Sequence, residues 1–179
     1  MKDNIIFIAG VHGVGKTTIC NKIKKEVNLN TYSSSDLIKR YNSSILSEEK
    51  QVNDVNDNQD ILLKAISKFV DNNEVILLDG HFTLISKDNN IVDIPEQTFI
   101  NMGLNKIIIT IDDPKVIVKR LMSRDSKEYS LRFIESFQEK EVSRGIDIAR
   151  RLDIDAYIYK NGSDVNKLIN FIKQKKISI

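Results

Sequence analysis

Short apolar runs alternate with stretches of helical periodicity along most of the chain. Four runs are rich in β-branched residues, a pattern typical of strands buried on both faces of a parallel sheet; they span residues 5–9, 74–78, 106–111 and 156–159. Between them, helical patterns occupy about 15–27, 59–71, 114–124, 129–151 and 164–175. This alternation predicts an α/β fold with a parallel central sheet flanked by helices.

Three segments depart from the alternation. Residues 31–35 predict a short strand and loop leading into a helix through Arg40. Residues 42–58 are polar with few apolar positions, which indicates an exposed loop or a mobile helical flap. Residues 81–97 hold an Asp-Asn-Asn turn between apolar runs and predict a hairpin off the core. No repeat or linker divides the chain, so residues 1–179 are expected to form a single domain.

Composition narrows the class of protein. The chain has 179 residues, 41% hydrophobic and 29% charged, which suits a globular protein with a full core. Its net charge of +2 argues against a dedicated nucleic-acid-binding protein. One cysteine and two histidines argue against a disulfide framework and a zinc centre. The chain has no membrane-length apolar segment and no secretory signal pattern, so a cytoplasmic protein without a membrane partner is expected.

The turn after the first strand carries the phosphate-loop pattern G-x-x-x-x-G-K-[ST]. Its glycines let backbone N–H groups curl around phosphate oxygens, and the following helix directs its positive end at the same anion. Lys16, expected on a solvated loop, would reach the β- and γ-phosphates, and Thr17 would bind Mg²⁺. The motif predicts a three-layer P-loop NTPase fold, ATP and Mg²⁺ as cofactors, and cofactor contacts from Gly10, Gly13, Val14, Gly15, Lys16, Thr17 and Thr18.

Asp79 ends the apolar run 74–78, where these proteins place a second Mg²⁺-associated carboxylate. The alternative is a plain turn at the end of a strand, because Asp-Gly is a common turn pair. The next residue is Gly80, whereas motor-type ATPases commonly have a water-activating glutamate there. This difference argues against a dedicated hydrolase. The absence of Asn-Lys-x-Asp argues against a small GTPase.

Six of the seven arginines fall between residues 120 and 151, although the chain has 20 lysines. Guanidinium groups bind phosphate oxygens bidentately and stack on bases. Arg120 and Arg124 are four residues apart and share a helix face. Catalytic phosphate contacts are therefore predicted from Arg120, Arg124, Arg132 and Arg144. The alternative is a solvated helix face on which arginines pair with Glu135, Glu139 and Glu141.

Three stretches resemble archaeal-type adenylate kinases, within the P-loop nucleoside monophosphate kinases. They are the loop Gly10–Thr18, the strand end Leu78-Asp79-Gly80-His81, and Arg120-Leu-Met-Ser-Arg124. In that family the first of the two arginines stacks on the ATP base and the second contacts phosphate. The resemblance implies a short lid at about 120–135 and an acceptor-binding excursion at about 30–70. It also implies substrate binding by Ser34, Asp36, Lys39, Arg40, Asp79 and His81.

The function favoured by this resemblance is transfer of the γ-phosphoryl group of MgATP to a nucleoside monophosphate, with AMP as acceptor. A monophosphate is already a nucleophilic oxyanion, so no general base is needed. Two alternatives stay open. One is a small-metabolite kinase with an alcohol acceptor, which needs Asp36 or Asp79 as its base. The other is a regulatory ATP-binding protein. The expected partners are small-molecule nucleotide substrates, and the oligomeric state stays open.

Overall fold

The computed structural model describes residues 4–45, 55–71 and 73–174. The described residues form seven strands: β1 (Ile5–Ala9), β2 (Asn30–Ser33), β3 (Ile76–Gly80), β4 (Thr83–Ile85), β5 (Ile91–Asp93), β6 (Leu104–Ile111) and β7 (Asp155–Lys160). They also form seven helices: α1 (Lys16–Val27), α2 (Ser34–Ile45), α3 (Val55–Phe69), α4 (Glu96–Met102), α5 (Pro114–Asp125), α6 (Leu131–Leu152) and α7 (Val165–Lys173).

Five of the strands form a parallel sheet in the order β2-β3-β1-β6-β7. The central strand β1 is at most 2% exposed at every residue, which explains its unbroken apolar sequence. In the register of β1 with β3, Ile8 pairs with Asp79 and Ala9 with Gly80. The sheet therefore brings the end of β3 beside the loop that follows β1.

Helices cover both faces of this sheet. Strand residues such as Phe7, Leu78 and Ile109 pack on one face with residues of α3, α4 and α6. Their neighbours along the strands, such as Ile8 and Leu77, pack on the other face with α1 and α7. Successive strand side chains point to opposite faces, so one apolar run supplies both layers. The predicted three-layer α/β fold is confirmed.

Most element boundaries agree with the sequence pattern. Strands β4 and β5 pair antiparallel, which confirms the predicted hairpin within residues 81–97. The polar segment 42–58, predicted to be an exposed loop or a mobile helical flap, contributes the end of α2 and the start of α3, while residues 46–54 lie outside the described residues. The short helix α4 was missed. It has seven residues, of which Thr98, Phe99 and Met102 are buried, and this is too few to show a clear helical periodicity. In the described ranges, every helix is too short or too polar to cross a membrane.

Candidate active site

A cleft of about 880 Å³ opens beside the carboxyl ends of β1, β2 and β3. Parallel strands end at one edge of a sheet, so loops that are distant in sequence meet there. The cleft brings together ten of the predicted site residues: Gly13, Gly15, Lys16, Thr17, Ser34, Asp36, Asp79, His81, Arg120 and Arg124. After the roles that the sequence predicts for its two parts, we call the part lined by the β1–α1 loop, α1 and α5 the donor half. The part lined by β2, α2, α3 and residues 79–102 is the acceptor half.

Packing against α5 and α6 fixes the conformation of the loop between β1 and α1. Val11 and Val14 are fully buried in a cluster with residues of α5 and α6. Gly13 has a φ of +78°, and a Cβ added there would lie 2.7 Å from Leu121 Cγ. At Gly10 the added Cβ would lie 2.5 Å from the carbonyl oxygen of Thr110. The glycines are therefore required by the close approach of β6 and α5 as well as by the turn itself.

Lys16 is buried, so the expectation of a solvated position was wrong. It is the first residue of α1, and its Nζ donates to the carbonyl oxygen of Gly10 at 2.6 Å. The same atom lies 3.9 Å from Asp79 Oδ1. Burial lowers the pKa of the Lys16 ammonium, while the Asp79 and Glu141 carboxylates act to raise it. Lys16 Nζ thus lies within the lining of the cleft, where an incoming polyphosphate can replace the carbonyl as its partner.

Asp79 and Thr17 offer the oxygen ligands that suit Mg²⁺. The Asp79 side chain is 19% exposed, and burial raises the pKa of its carboxyl, opposed by Lys16. Thr17 is exposed at the start of α1. Among the described residues no group of three or more His, Cys, Asp or Glu side chains could hold a metal ion. Mg²⁺ normally uses one or two protein ligands together with substrate phosphates, so this donor set fits an ion that arrives with a nucleotide.

His81 lies between Lys16 and a second histidine. Its Nε2 is 3.4 Å from Lys16 Nζ, and its ring centroid is 4.3 Å from that of His12. Burial, with Lys16 and His12, lowers the pKa of His81 well below its usual value. His12 is solvent-accessible but enclosed by the cleft walls, and this desolvation together with Lys16 lowers its pKa to about 4. Both rings are therefore neutral at neutral pH. When the His81 proton is on Nδ1, Nε2 can accept a hydrogen bond from Lys16 Nζ.

Glu141 was missed as a site residue, and it does not lie on the solvated face that the alternative interpretation of the arginines gave it. It is 0% exposed, and its carboxylate accepts hydrogen bonds from Phe82 N at 2.9 Å and Thr83 N at 2.7 Å. Oε1 also lies 3.8 Å from His81 Nδ1. Glu141 thus fixes the segment that follows β3. The sequence does carry a signal, because Glu141 lies in the middle of an apolar stripe spaced three and four apart: Ile134, Phe137, Glu141, Gly145 and Ile148.

Two of the four predicted arginines line the cleft. Arg120 Nη1 donates to Asp112 Oδ2 at 2.7 Å and to the carbonyl oxygens of Val14 at 3.2 Å and Gly13 at 3.4 Å. It therefore supports the phosphate loop directly. Arg124 pairs with its neighbour Asp125, and this hydrogen-bonded pairing raises the pKa of the guanidinium.

The other two arginines lie outside the cleft. Arg132 is exposed on α6. Arg144 donates to the carbonyl oxygen of Ile94 at 3.1 Å and to Asp147 Oδ2 at 3.2 Å. The predicted lid, residues 120–135, consists of the end of α5, a connection at 126–130 and the start of α6. Its closing role stays a prediction.

The acceptor half is lined by hydroxyl and amide groups. Lys39 and Arg40, predicted to bind substrate, are not among the lining residues. The Lys39 side chain is 78% exposed beside Asp36 at 3.8 Å, and the Arg40 guanidinium lies 4.1 Å above the Phe69 ring. The lining residues that were missed are Thr31, Tyr32, Ser33, Ser35, Asn58 and Gln59.

Comparison with known proteins finds a matching family and solved structures with a similar fold. Residues 9–138 match the AAA domain family. No curated protein matches the chain in sequence. A gluconokinase from Sinorhizobium meliloti 1021 is 14% identical, with a TM-score of 0.52 over 95% of this chain and 90% of that chain. A candidate kinase from Chloroflexus aurantiacus j-10-fl is 14% identical, with a TM-score of 0.56 over 97% and 96% of the two chains. An uncharacterized protein from Eubacterium ventriosum ATCC 27560 is 16% identical, with a TM-score of 0.50 over 94% of each chain.

At these identities the solved structures show the fold alone, and that fold confirms the P-loop kinase-like architecture. The finer resemblance to archaeal-type adenylate kinases stays a prediction. The family match begins at the end of β1, contains the whole phosphate loop and reaches Gln138 in α6, which is more than half of the chain. The chain therefore belongs to the AAA domain family.

Proposed function

We propose that the protein is a kinase that transfers the γ-phosphoryl group of MgATP to a hydroxyl group of a small metabolite. The observation that carries this proposal is the distribution of charge in the cleft. The cations that line the cleft belong to α1 and α5 of the donor half: Lys16, Lys24, Arg120 and Arg124. Among the described lining residues of the acceptor half there are carboxylates, Asp36 and Asp79, and no lysine or arginine.

A nucleoside monophosphate is poorly matched to such an acceptor half. Its phosphate carries nearly two negative charges at neutral pH, and like charges at short range repel. The hydroxyl group of a metabolite acceptor brings no such charge of its own. Instead, its hydroxyl can donate a hydrogen bond to a carboxylate, which accepts this bond well. The acceptor half therefore favours an alcohol over a monophosphate.

The chemistry then assigns a role to each residue. The acceptor hydroxyl oxygen forms a bond to the γ-phosphorus while the bond from that phosphorus to the β–γ bridging oxygen breaks, and ADP leaves. The hydroxyl proton passes to the Asp36 carboxylate as general base. Lys16 and Arg124 offset the negative charge on the transferring group, while Arg120 supports the phosphate loop. When bound at Thr17 and Asp79, Mg²⁺ supplies further neutralisation of the phosphate oxygens.

Two further observations support a kinase with a metabolite acceptor. Gly80 follows Asp79 where a water-activating glutamate would favour hydrolysis. One protein of the same fold is a gluconokinase, whose name gives gluconate as its acceptor. A nucleoside monophosphate kinase is the second candidate, because Arg120 and Arg124 both line the cleft as the resemblance to adenylate kinases implies.

An acceptor screen with the purified protein tests the proposal. MgATP is offered with AMP, CMP, GMP or UMP, with monosaccharides, polyols and sugar acids, and with no acceptor. ADP is followed by a coupled assay, and the product by phosphorus NMR. We expect a hydroxylated metabolite to accelerate ADP formation and to yield a phosphate monoester. Acceleration by a monophosphate alone would instead assign a nucleoside monophosphate kinase. Stoichiometric ATP binding that no acceptor converts to turnover would assign a nucleotide-dependent switch.

A further inference from the structure

Two buried polar atoms of residues that line the acceptor half have no hydrogen-bond partner in the structure. They are the side-chain carbonyl oxygen of Gln59 on α3 and the hydroxyl oxygen of Ser34 at the start of α2. Gln59 as a residue is only 7% exposed. Buried polar groups in folded proteins are almost always hydrogen-bonded, because desolvation without a partner is unfavourable. An unpartnered amide carbonyl that lines a cleft is therefore suited to a ligand that supplies the missing hydrogen.

The side-chain carbonyl oxygen of Gln59 receives no hydrogen bond from the described residues around it. The acceptor half also has apolar lining residues, from four different elements: Ile38, Leu62, Leu84, Ile94 and Met102. Gln59 lies on the same face of α3 as the buried residues Leu62 and Ile66, at spacings of three and four. Its carbonyl oxygen can only accept, so the matching ligand group is a donor.

Ser34 is held in position by the shape of the opposite strand. Gly80 is buried at the end of β3, and a Cβ added there would lie 2.9 Å from Ser34 Oγ and 2.6 Å from the Phe7 ring. The missing side chain at Gly80 therefore leaves room for the Ser34 hydroxyl beside the strand end that carries Asp79. A hydroxyl both donates and accepts, so it complements the acceptor-only carbonyl of Gln59.

We propose that Gln59 and Ser34 bind the hydroxyl groups of the acceptor that are not phosphorylated, so that Gln59 selects a polyhydroxylated compound. This inference rests on the proposed function, since it names the acceptor class of the same cleft. A hydroxyl and the exocyclic amine of a nucleobase are both hydrogen donors. The absence of cations from the described lining of the acceptor half favours the hydroxyl source.

The decisive experiment measures binding, so it does not depend on turnover. Thermal unfolding of the full chain is followed with and without the nucleotide ADP, and with a panel of monosaccharides, polyols and sugar acids alongside adenosine. The variants are Gln59→Leu and Ser34→Ala. The control is Gln97→Leu, which changes an exposed glutamine of α4 outside the cleft. Where a panel compound is also phosphorylated, KM for that compound and for ATP are measured separately.

We expect at least one polyhydroxylated compound to raise the melting temperature of the wild type and of Gln97→Leu, and to have little effect on Gln59→Leu. The KM for that compound should rise about tenfold or more in Gln59→Leu, because a site built to hydrogen-bond a hydroxyl discriminates strongly once the bond is lost. The KM for ATP should change less than about twofold in the same variant, since the donor half is untouched. Ligand-free Gln59→Leu should melt no lower than the wild type, since the change removes an unpaired buried carbonyl.

Other results would overturn the inference in identifiable ways. A Gln59→Leu variant that melts lower and binds ADP more weakly would reduce Gln59 to a structural residue. Equal stabilisation of wild type and Gln59→Leu by the polyhydroxylated compounds would remove Gln59 from acceptor binding. If adenosine is the only compound whose stabilising effect is lost in Gln59→Leu, then Gln59 binds a nucleobase, and the polyhydroxylated class is wrong. A wild type that no panel compound stabilises also contradicts it. Binding that depends on Gln59 without any turnover would instead sustain this inference and count against the proposed kinase reaction.

Discussion

The donor half of the cleft depends on one continuous loop, residues 10–18, whereas the acceptor half is assembled from β2, α2, α3 and the segment after β3. In the donor half, buried Val11 and Val14 and the glycines at positive φ fix the backbone, so its shape depends little on exposed side chains. In the acceptor half, side chains from separate elements define the surface, and some of their polar atoms lack partners.

This contrast suits the two ligands that such a cleft would receive. A triphosphate presents the same oxygens in every reaction, so a fixed cradle of backbone and cations serves it. An acceptor varies from one enzyme to another and is recognised by a few placed polar groups in a largely apolar wall. Substitutions in the donor half should therefore affect the reaction with every acceptor. Substitutions in the acceptor half should affect only the KM and kcat for particular acceptors.

The largest effect is expected from Lys16→Met. The variant keeps the buried stem of Lys16 but loses the charge beside the transferring phosphoryl group, so kcat should fall about 10²–10³-fold with every acceptor. Folding should be retained, because burial already disfavours the ammonium. Steady-state kinetics and thermal unfolding check both expectations. Lys22→Met, an exposed lysine of the same helix outside the cleft, is the control and should behave like the wild type. Near-normal turnover in Lys16→Met would show that the phosphate loop is not used for transfer.

Asp36→Asn and Asp79→Asn separate the proposed base on α2 from the proposed metal ligand at the end of β3. Asp36→Asn should lower kcat about 10²-fold, because the hydroxyl proton loses its acceptor, and should leave the Mg²⁺ titration unchanged. Asp79→Asn should shift the Mg²⁺ titration to higher concentrations, because an amide keeps the shape and loses the charge. The opposite pattern, with the loss at saturating Mg²⁺ confined to Asp79→Asn, would make Asp79 the base.

The pH dependence gives an independent check on Asp79. Burial raises the pKa of its carboxyl, so protonation begins at a higher pH than for an ordinary aspartate. The protonated carboxyl binds Mg²⁺ poorly, and activity at limiting Mg²⁺ should therefore fall as the pH is lowered. Saturating Mg²⁺ should move this fall to lower pH, because the ion and the proton compete for the same oxygens. A fall that Mg²⁺ does not move would count against Asp79 as a ligand.

Substitutions of Arg124 and Arg120 distinguish catalysis from nucleotide binding in the donor half. Arg124→Lys keeps the charge and loses the bidentate fork, so kcat and kcat/KM should fall together by about tenfold. Arg120→Lys should raise KM for ATP more than it changes kcat, because Arg120 supports the loop through Gly13 and Val14 before the reaction begins. Kinetics with ATP as the varied substrate distinguish the two variants. Arg150→Lys, exposed on α6 outside the cleft, is the control. Unchanged kinetics in both variants would make the arginine cluster a surface feature.

The same contrast explains which parts of the site could be predicted from the sequence. The phosphate loop is a contiguous motif after a buried strand, so both its residues and its fold were predictable from local pattern. The acceptor half required the pairing of β2 and β3 and the packing of α3, which are contacts between residues far apart in sequence. Gln59 and Glu141 each interrupt an apolar helical stripe, yet such a stripe does not reveal what the polar residue faces. Arg144 has the residue type expected at a phosphate, but in the fold it binds the hairpin at Ile94.

The smallest effect on turnover is expected at the point that joins the two halves, the buried carboxylate of Glu141. It accepts hydrogen bonds from Phe82 N and Thr83 N, and these residues follow the strand end that carries Asp79 and His81. Glu141→Gln keeps one oxygen acceptor, so kcat should change only a few-fold. Glu141→Leu leaves two buried N–H groups unpaired and should lower the free energy of unfolding by about 2–6 kcal/mol, at about 1–3 kcal/mol for each unsatisfied group. Urea unfolding measures the loss, and Glu139→Leu, exposed on the same helix, is the control. If Glu141→Leu were as stable as the wild type but raised KM for both substrates, the carboxylate would act on the cleft through His81 and Lys16 and not by holding the chain after β3.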